Sequence, residues 1–113
     1  LKVWQRSHAL VLQVYRLTKT FPPDERYGLI AQLRRAVLSV PANIAEGSKR
    51  LTNADYARFL NIAEGSLAET EYLLMVSRDL HYLSGAEVKS VIAEADEIGK
   101  MLHGLRSKVC KPG

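Results

Sequence analysis

The chain has 113 residues, 47% of them apolar and 25% charged, with a formal net charge of +4 at pH 7. That length suits one domain around one core, and that balance excludes extended disorder. No apolar run approaches the roughly 20 residues needed to cross a bilayer, so a membrane-spanning role is not expected.

From Val3, apolar or small residues recur at Val3, Ser7, Leu10, Val14, Leu17 and Phe21, in alternating steps of four and three. This heptad seam predicts a first helix over 3–21. Pro22 and Pro23 end it, because neither donates a backbone hydrogen bond and each restricts the residue before it. Asp24 or a neighbour is placed to open a second helix over 25–46, with Asp24 and Glu25 at its positive end. Leu29, Leu33, Ala36, Val40 and Ile44 form its apolar face. Pro41 falls inside that face, where it removes one hydrogen bond and clashes with the preceding turn, at a cost of about 3 kcal/mol. Either the helix stops near Ser39 or it continues with a bend. Ile44 and Ala45 keep the spacing beyond the proline, which favours one helix bent at Pro41, with Gly47 as a left-handed cap.

Thr52-Asn53-Ala54-Asp55 resembles a capping box with an acid one carbon short of the usual Glu, and opens a third helix over 53–80. One seam there runs through Tyr56, Leu60, Ala63, Leu67, Thr70, Leu74 and Ser77; a second runs beside it through Phe59, Ile62, Ser66, Leu73, Val76 and Leu80. Two adjoining seams touch neighbours on two sides, one set in the same chain and the other available to a second subunit. Gly65 inside this helix costs about 1 kcal/mol relative to Ala, which a close helix approach would explain, either within the bundle or between subunits. Ser84-Gly85-Ala86-Glu87 is a better capping box, and Val88, Val91, Ala95, Ile98, Leu102, Leu105 and Val109 carry a fourth helix over 85–109. The links are short and no stretch alternates like a half-buried strand. The expected fold is therefore all-α, an antiparallel up-down-up-down four-helix bundle forming a single domain over 1–113.

Charge is unevenly spread. Residues 1–58 hold ten Lys/Arg against four acids, a net +6, and the remainder is −2. Such asymmetry suits a nucleic acid or an acidic protein surface. The single cysteine, Cys110, can form no internal disulfide. No charged-then-apolar leader is present, so a cytoplasmic setting is expected; position 1 is Leu rather than Met, which leaves open residues before it. Chemistry-bearing constellations are missing. His8, His81 and His103 stand apart, no Glu-x-x-His spacing occurs, and the glycines form no phosphate-cradling loop. Neither metal nor cofactor is implied, and the reading is of a protein without enzymatic activity.

Several motifs carry a resemblance. Val3-Trp4-Gln5-Arg6, Glu25-Arg26-Tyr27-Gly28-Leu29, Gln32-Leu33-Arg34-Arg35-Ala36, Val40-Pro41-Ala42-Asn43-Ile44-Ala45-Glu46-Gly47, Gly65-Ser66-Leu67-Ala68-Glu69 and Arg78-Asp79-Leu80 stand in that order. With them the chain resembles, over nearly its whole length, the bacterial four-helix bundle family first noticed as reading frames within intervening sequences of 23S ribosomal RNA genes. The resemblance implies a barrel-like homopentamer with no established enzymatic activity. It also implies kinship with the accessory variability proteins of diversity-generating retroelements, which bind nucleic acid and a reverse transcriptase. The family has no agreed catalytic motif, so no catalytic residue is carried over.

The candidate nucleic-acid-binding residues are Arg34, Arg35, Lys49, Arg50 and Arg58. If the second and third helices pack antiparallel, their link places Lys49, Arg50 and Arg58 at one end of the bundle, with Arg34 and Arg35 about two turns away. A ring of subunits would multiply the field such a patch presents to RNA or DNA. Trp4, Tyr27 and Tyr56 could stack on bases, although seam and subunit-contact roles are the commoner use of such rings. Asn43 is expected to hydrogen-bond the backbone group that Pro41 frees. The leading reading is an oligomeric, non-enzymatic nucleic-acid-binding protein. The alternative is a scaffold that docks a reverse transcriptase or another protein without touching nucleic acid.

Overall fold

A computed structural model describes residues 1–111 as four α-helices: α1 (Lys2–Thr18), α2 (Leu29–Gly47), α3 (Asn53–Asp79) and α4 (Gly85–Cys110), with a 3-10 turn at Pro23–Glu25. Each helix packs on the next and α4 closes back on α1, so the four surround one core; the α1–α4 seam is the sparsest. No strand occurs among the described residues. Contacts fix the directions. Arg34, early in α2, reaches Thr18 and Tyr15, late in α1. Gly47, ending α2, lies against Tyr56 and Phe59, which begin α3. Arg106, late in α4, pairs with Glu64 in the first half of α3, and Arg6, early in α1, pairs with Glu94. Successive helices thus run in opposite senses, in a body 50 Å long and 25 by 19 Å across.

The heptad seams become the core. Leu10, Val14, Leu33, Val40, Ile44, Leu60, Leu74, Val91, Ile98 and Leu102 are at most 1% exposed. Each such side chain contributes about 1.5–3 kcal/mol relative to an exposed one. Ser7, Thr18, Thr70 and Ser77 are also buried, and each hydroxyl donates to the carbonyl four residues back in its own helix. Those bonds satisfy the hydroxyl donors within their own helices, and Thr18 also accepts across helices, from Arg34, so hydroxyls sit on apolar seams at little cost. No buried side-chain nitrogen or oxygen among the described residues lacks a partner. No helix there is long and apolar enough to cross a membrane.

The boundaries differ from the sequence reading where local chemistry intervenes. α1 ends at Thr18 rather than Phe21, because the carbonyls of Thr18 and Lys19 would need N–H groups from residues 22 and 23, both proline. Thr18, not Leu17, then takes the buried position. α2 begins at Leu29 rather than residue 25: Pro23–Glu25 forms the 3-10 turn, and the Glu25 carboxylate, not Asp24, accepts from the Leu29 N–H at 3.1 Å. α2 is unbroken through the buried Pro41.

One helix-end expectation is corrected. Gly47 is not a left-handed cap; it is the last residue of α2, and its missing side chain admits α3, since a Cβ there would stand 2.7 Å from Phe59 Cβ. Gly65, inside α3, has no such neighbour within the subunit, with nothing within 4 Å of an added Cβ, so the close approach within the bundle is ruled out there. Capping is complete at Ser84–Glu87, where side chain and backbone bond reciprocally at 3.1 and 2.9 Å. At Thr52 only half a box forms: Thr52 Oγ1 accepts from Asp55 N at 3.1 Å, while the shorter Asp55 carboxylate turns to Arg58. At the other end of α3, His81 adopts φ 65°, with Tyr82 N donating to Ser77 O and His81 N to Arg78 O. That is the Schellman arrangement, with histidine where glycine is usual.

Candidate nucleic-acid interface

The α2–α3 turn is built outward from Gly47. Because Gly47 lets Phe59 close on the end of α2, the Phe59 ring is held half-buried at the root of the turn. Two guanidiniums lie over that ring, Arg50 at 5.2 Å from its centroid and Arg58 at 4.6 Å. Such cation–aromatic contacts are worth about 0.5–1 kcal/mol each at exposed sites, and they orient the flat groups. Arg50 Nε also donates to the Glu46 carbonyl at 3.3 Å, and Arg58 Nε to Asp55 Oδ1 at 3.0 Å. The turn itself is tight, with Lys49 N bonding Glu46 O and Arg50 N bonding Gly47 O.

Lys49, Arg50 and Arg58, with Leu51, Thr52, Ala54 and Asp55, line an open depression of about 690 Å³. Three cations there face one carboxylate. Arg58 is paired with Asp55, whereas Lys49 and Arg50 have no salt bridge among the described residues. Leu51 projects from the tip fully exposed. The depression offers hydrogen-bond donors and positive charge, the chemistry of anion binding. No group of three or more His, Cys, Asp or Glu side chains among the described residues could hold a metal ion.

Arg34 and Arg35 stand elsewhere. Arg35 precedes Gly47 by twelve residues, about 18 Å along α2, which is more than three turns rather than two. Arg34 is half-buried: Nε donates to Thr18 Oγ1 at 2.9 Å, Nη2 to Tyr15 O at 3.4 Å, and the guanidinium lies 4.4 Å from the Tyr15 ring centroid. Arg35 is exposed. The five basic residues therefore form two groups at opposite ends of α2. Arg26 and Tyr15, which the sequence reading did not include, belong with Arg34 and Arg35. The available signal was the chain reversal at Pro22-Pro23, which brings residues just before and after it around the start of α2.

The aromatic candidates divide likewise. Trp4 stacks on His8, with centroids 5.3 Å apart and planes 8° from parallel. Tyr56 is half-buried beside Gly47, and that burial raises its hydroxyl above the usual range. Tyr27 is 87% exposed. Asn43 serves the structure differently from expectation: Nδ2 donates to the Ser39 carbonyl and to Ser39 Oγ, which in turn meets Ser66 Oγ at 2.8 Å. The carbonyl that Pro41 leaves without its N–H belongs to Val37, a turn away on the chain, so the amide ties α2 to α3 instead.

A sequence model of the 23S rRNA-intervening sequence protein family matches residues 1–104. Among solved structures, a protein with unknown function from the S23 ribosomal protein family of Bacteroides thetaiotaomicron is 27% identical and superposes with a TM-score of 0.85. The alignment covers 92% of this chain and 97% of that one. No curated protein matches the sequence.

Proposed function

The chain belongs to the 23S rRNA-intervening sequence protein family, and from that premise we propose that it acts without catalysis, as a cytoplasmic homo-oligomer that binds RNA or DNA through phosphate contacts. The observation carrying this reading is the convergence of Lys49, Arg50 and Arg58 on one open depression, with both guanidiniums oriented by Phe59. Self-association is supported by the outer stripe of α3, where Ile62, Tyr72 and Met75 are 40%, 61% and 40% exposed around the unfilled space at Gly65. These exposed apolar side chains along α3 are available to a second subunit. Five subunits is the number the resemblance implies.

Binding through three phosphate contacts makes log affinity fall with log salt at a slope of about −2.7 per subunit on duplex, so raising salt from about 50 to 200 mM costs about 40-fold. A ring engaging several copies steepens this further. Anisotropy titrations at the two salt concentrations measure it. Lys49→Glu, Arg50→Glu and Arg58→Glu together are expected to abolish duplex binding regardless of sequence. Salt-indifferent affinity, or an unaffected triple variant, would overturn the phosphate reading. Light scattering that gives a single-subunit mass at high concentration would overturn the oligomer.

A further inference from the structure

The end of α2 opposite the α2–α3 turn carries a second surface of different construction. Tyr15, Arg26, Tyr27, Arg34, Arg35 and Leu38 are the principal lining of an open groove of about 520 Å³, completed by Ile30 and Ala31. That volume lies within the range of about 300–1,000 Å³ usual for small-ligand sites. No carboxylate lines it. Among the described residues, none of its three arginines takes part in a salt bridge, in contrast to Arg58 at the other end. The neighbouring Glu25 is engaged elsewhere: its carboxylate accepts from Leu29 N and from the Tyr82 hydroxyl at 3.0 Å.

Three guanidiniums around one groove repel one another unless an anion sits between them. Arg34 is already held in place by Thr18 and the Tyr15 ring, so little freedom is lost when it meets a ligand. Arg26 lies 5.5 Å from the centroid of the Tyr27 ring, which is itself almost wholly in water. A free phosphate would use the charges and leave Tyr27, Ile30 and Leu38 idle. A peptide of Asp and Glu alone would do the same. A nucleotide of an unpaired strand brings both a phosphate and a flat apolar face, whereas a duplex keeps its base faces stacked inside.

We propose that this groove binds single-stranded nucleic acid, with a base stacking on Tyr27 while Arg26 and Arg35 take the flanking phosphates. The proposal rests on the nucleic-acid reading above and narrows it, at a separate site, to unpaired strands. A sequence-tolerant preference follows, because every base has a face to stack.

The test uses the full chain and three fluorescein-labelled probes at one salt concentration: a short oligouridylate, an abasic oligomer with the same phosphate count, and a hairpin duplex. Tyr27→Ala is expected to weaken oligouridylate binding about tenfold, the scale of one lost base–aromatic stack, with abasic and duplex binding unchanged. Tyr27→Phe should restore it. Arg26→Gln with Arg35→Gln should weaken the oligouridylate and the abasic oligomer alike. Since Tyr27 is exposed, a melting curve matching wild type verifies folding. Unchanged oligouridylate binding in Tyr27→Ala, equal loss on the abasic probe, or displacement of oligouridylate by polyglutamate at matched charge would overturn the groove. If the triple Glu variant at the α2–α3 turn then still loses duplex binding, the phosphate reading stands alone. Oligouridylate binding that depends on Tyr27, together with duplex binding unaffected by that triple variant, would leave the groove standing and sink the turn; no binding of any probe would end both.

Discussion

One methyl group at Gly47 tests how α2, α3 and the basic turn are joined. In Gly47→Ala the new Cβ would stand 2.7 Å from Phe59 Cβ, 3.0 Å from Tyr56 Cδ1 and 3.4 Å from the Tyr56 carbonyl. Carbon atoms rest at about 3.5–4.0 Å, so the helices must part by about 0.8 Å at that end. Phe59 Cβ is bonded directly to the α3 backbone and cannot swing aside as the tip of a long side chain would. Overpacking of this kind costs about 1–3 kcal/mol. Alanine recovers at most about 1 kcal/mol of helix propensity, and less at a terminal residue. The net expectation is a loss of about 1–2 kcal/mol, or roughly 4–8 °C in melting temperature per kcal/mol for a domain near this size. Urea denaturation followed by far-ultraviolet circular dichroism should show a lower midpoint with an unchanged slope. A second readout follows from position: Phe59 carries Arg50 and Arg58, so displacing it should weaken duplex binding as well. A variant as stable as wild type would refute the close approach as the reason for glycine.

Gly65→Ala is the counterpart, since nothing lies within 4 Å of that position. It should raise subunit stability by up to about 1 kcal/mol while lowering the scattering mass, because the methyl intrudes on the proposed subunit contact; an unchanged mass would count against the α3 stripe. His81→Gly relieves a side chain held at φ 65° and should stabilise by about 1 kcal/mol in the same urea assay, and a destabilised variant would show that the histidine makes a compensating contact. Burial, reinforced by Asp96 on α4, pushes the Glu71 carboxyl up to about 7 from an ordinary 4.5. Between those values the folded chain keeps a proton that the unfolded chain has released, so stability falls as pH rises through the interval. Glu71→Gln should flatten that fall and gain stability above pH 7 in melting temperatures measured across it; a profile parallel to wild type would refute the assignment.

The helical periods were legible because burial acts on every turn: the steps of three and four through Val3 to Val14, Leu29 to Ile44 and Val88 to Leu102 all end in the core. The proline pair was legible as a stop, and its exact reach was not, because the helix fails at the carbonyls that would have needed proline N–H groups rather than at the prolines themselves. Gly47 shows a deeper limit. A glycine near a helix end reads equally as a left-handed cap or as room for a neighbour, and only the position of Phe59 distinguishes them. Thr52–Asp55 shows another, where one missing methylene and an arginine three residues on turn a reciprocal box into a cap on one side and an ion pair on the other.

Basic composition in the first half of the chain was visible, and its grouping was not. Charge counted along a sequence ignores which acids share a surface with which bases. Lys49, Arg50 and Arg58 come together with Asp55 among them, so part of their charge is answered within the chain. Arg26, Arg34 and Arg35 come together with none, and the neighbouring Glu25 is held by Leu29 and Tyr82 instead. Neutralising Glu25 by Glu25→Gln therefore should barely change the groove's field, whereas Leu38→Glu, which places a carboxylate in the groove lining, should weaken oligouridylate binding and leave duplex binding intact. Equal effects of the two variants on oligouridylate would mean that the groove senses the net charge of its end of the bundle rather than the local absence of acids.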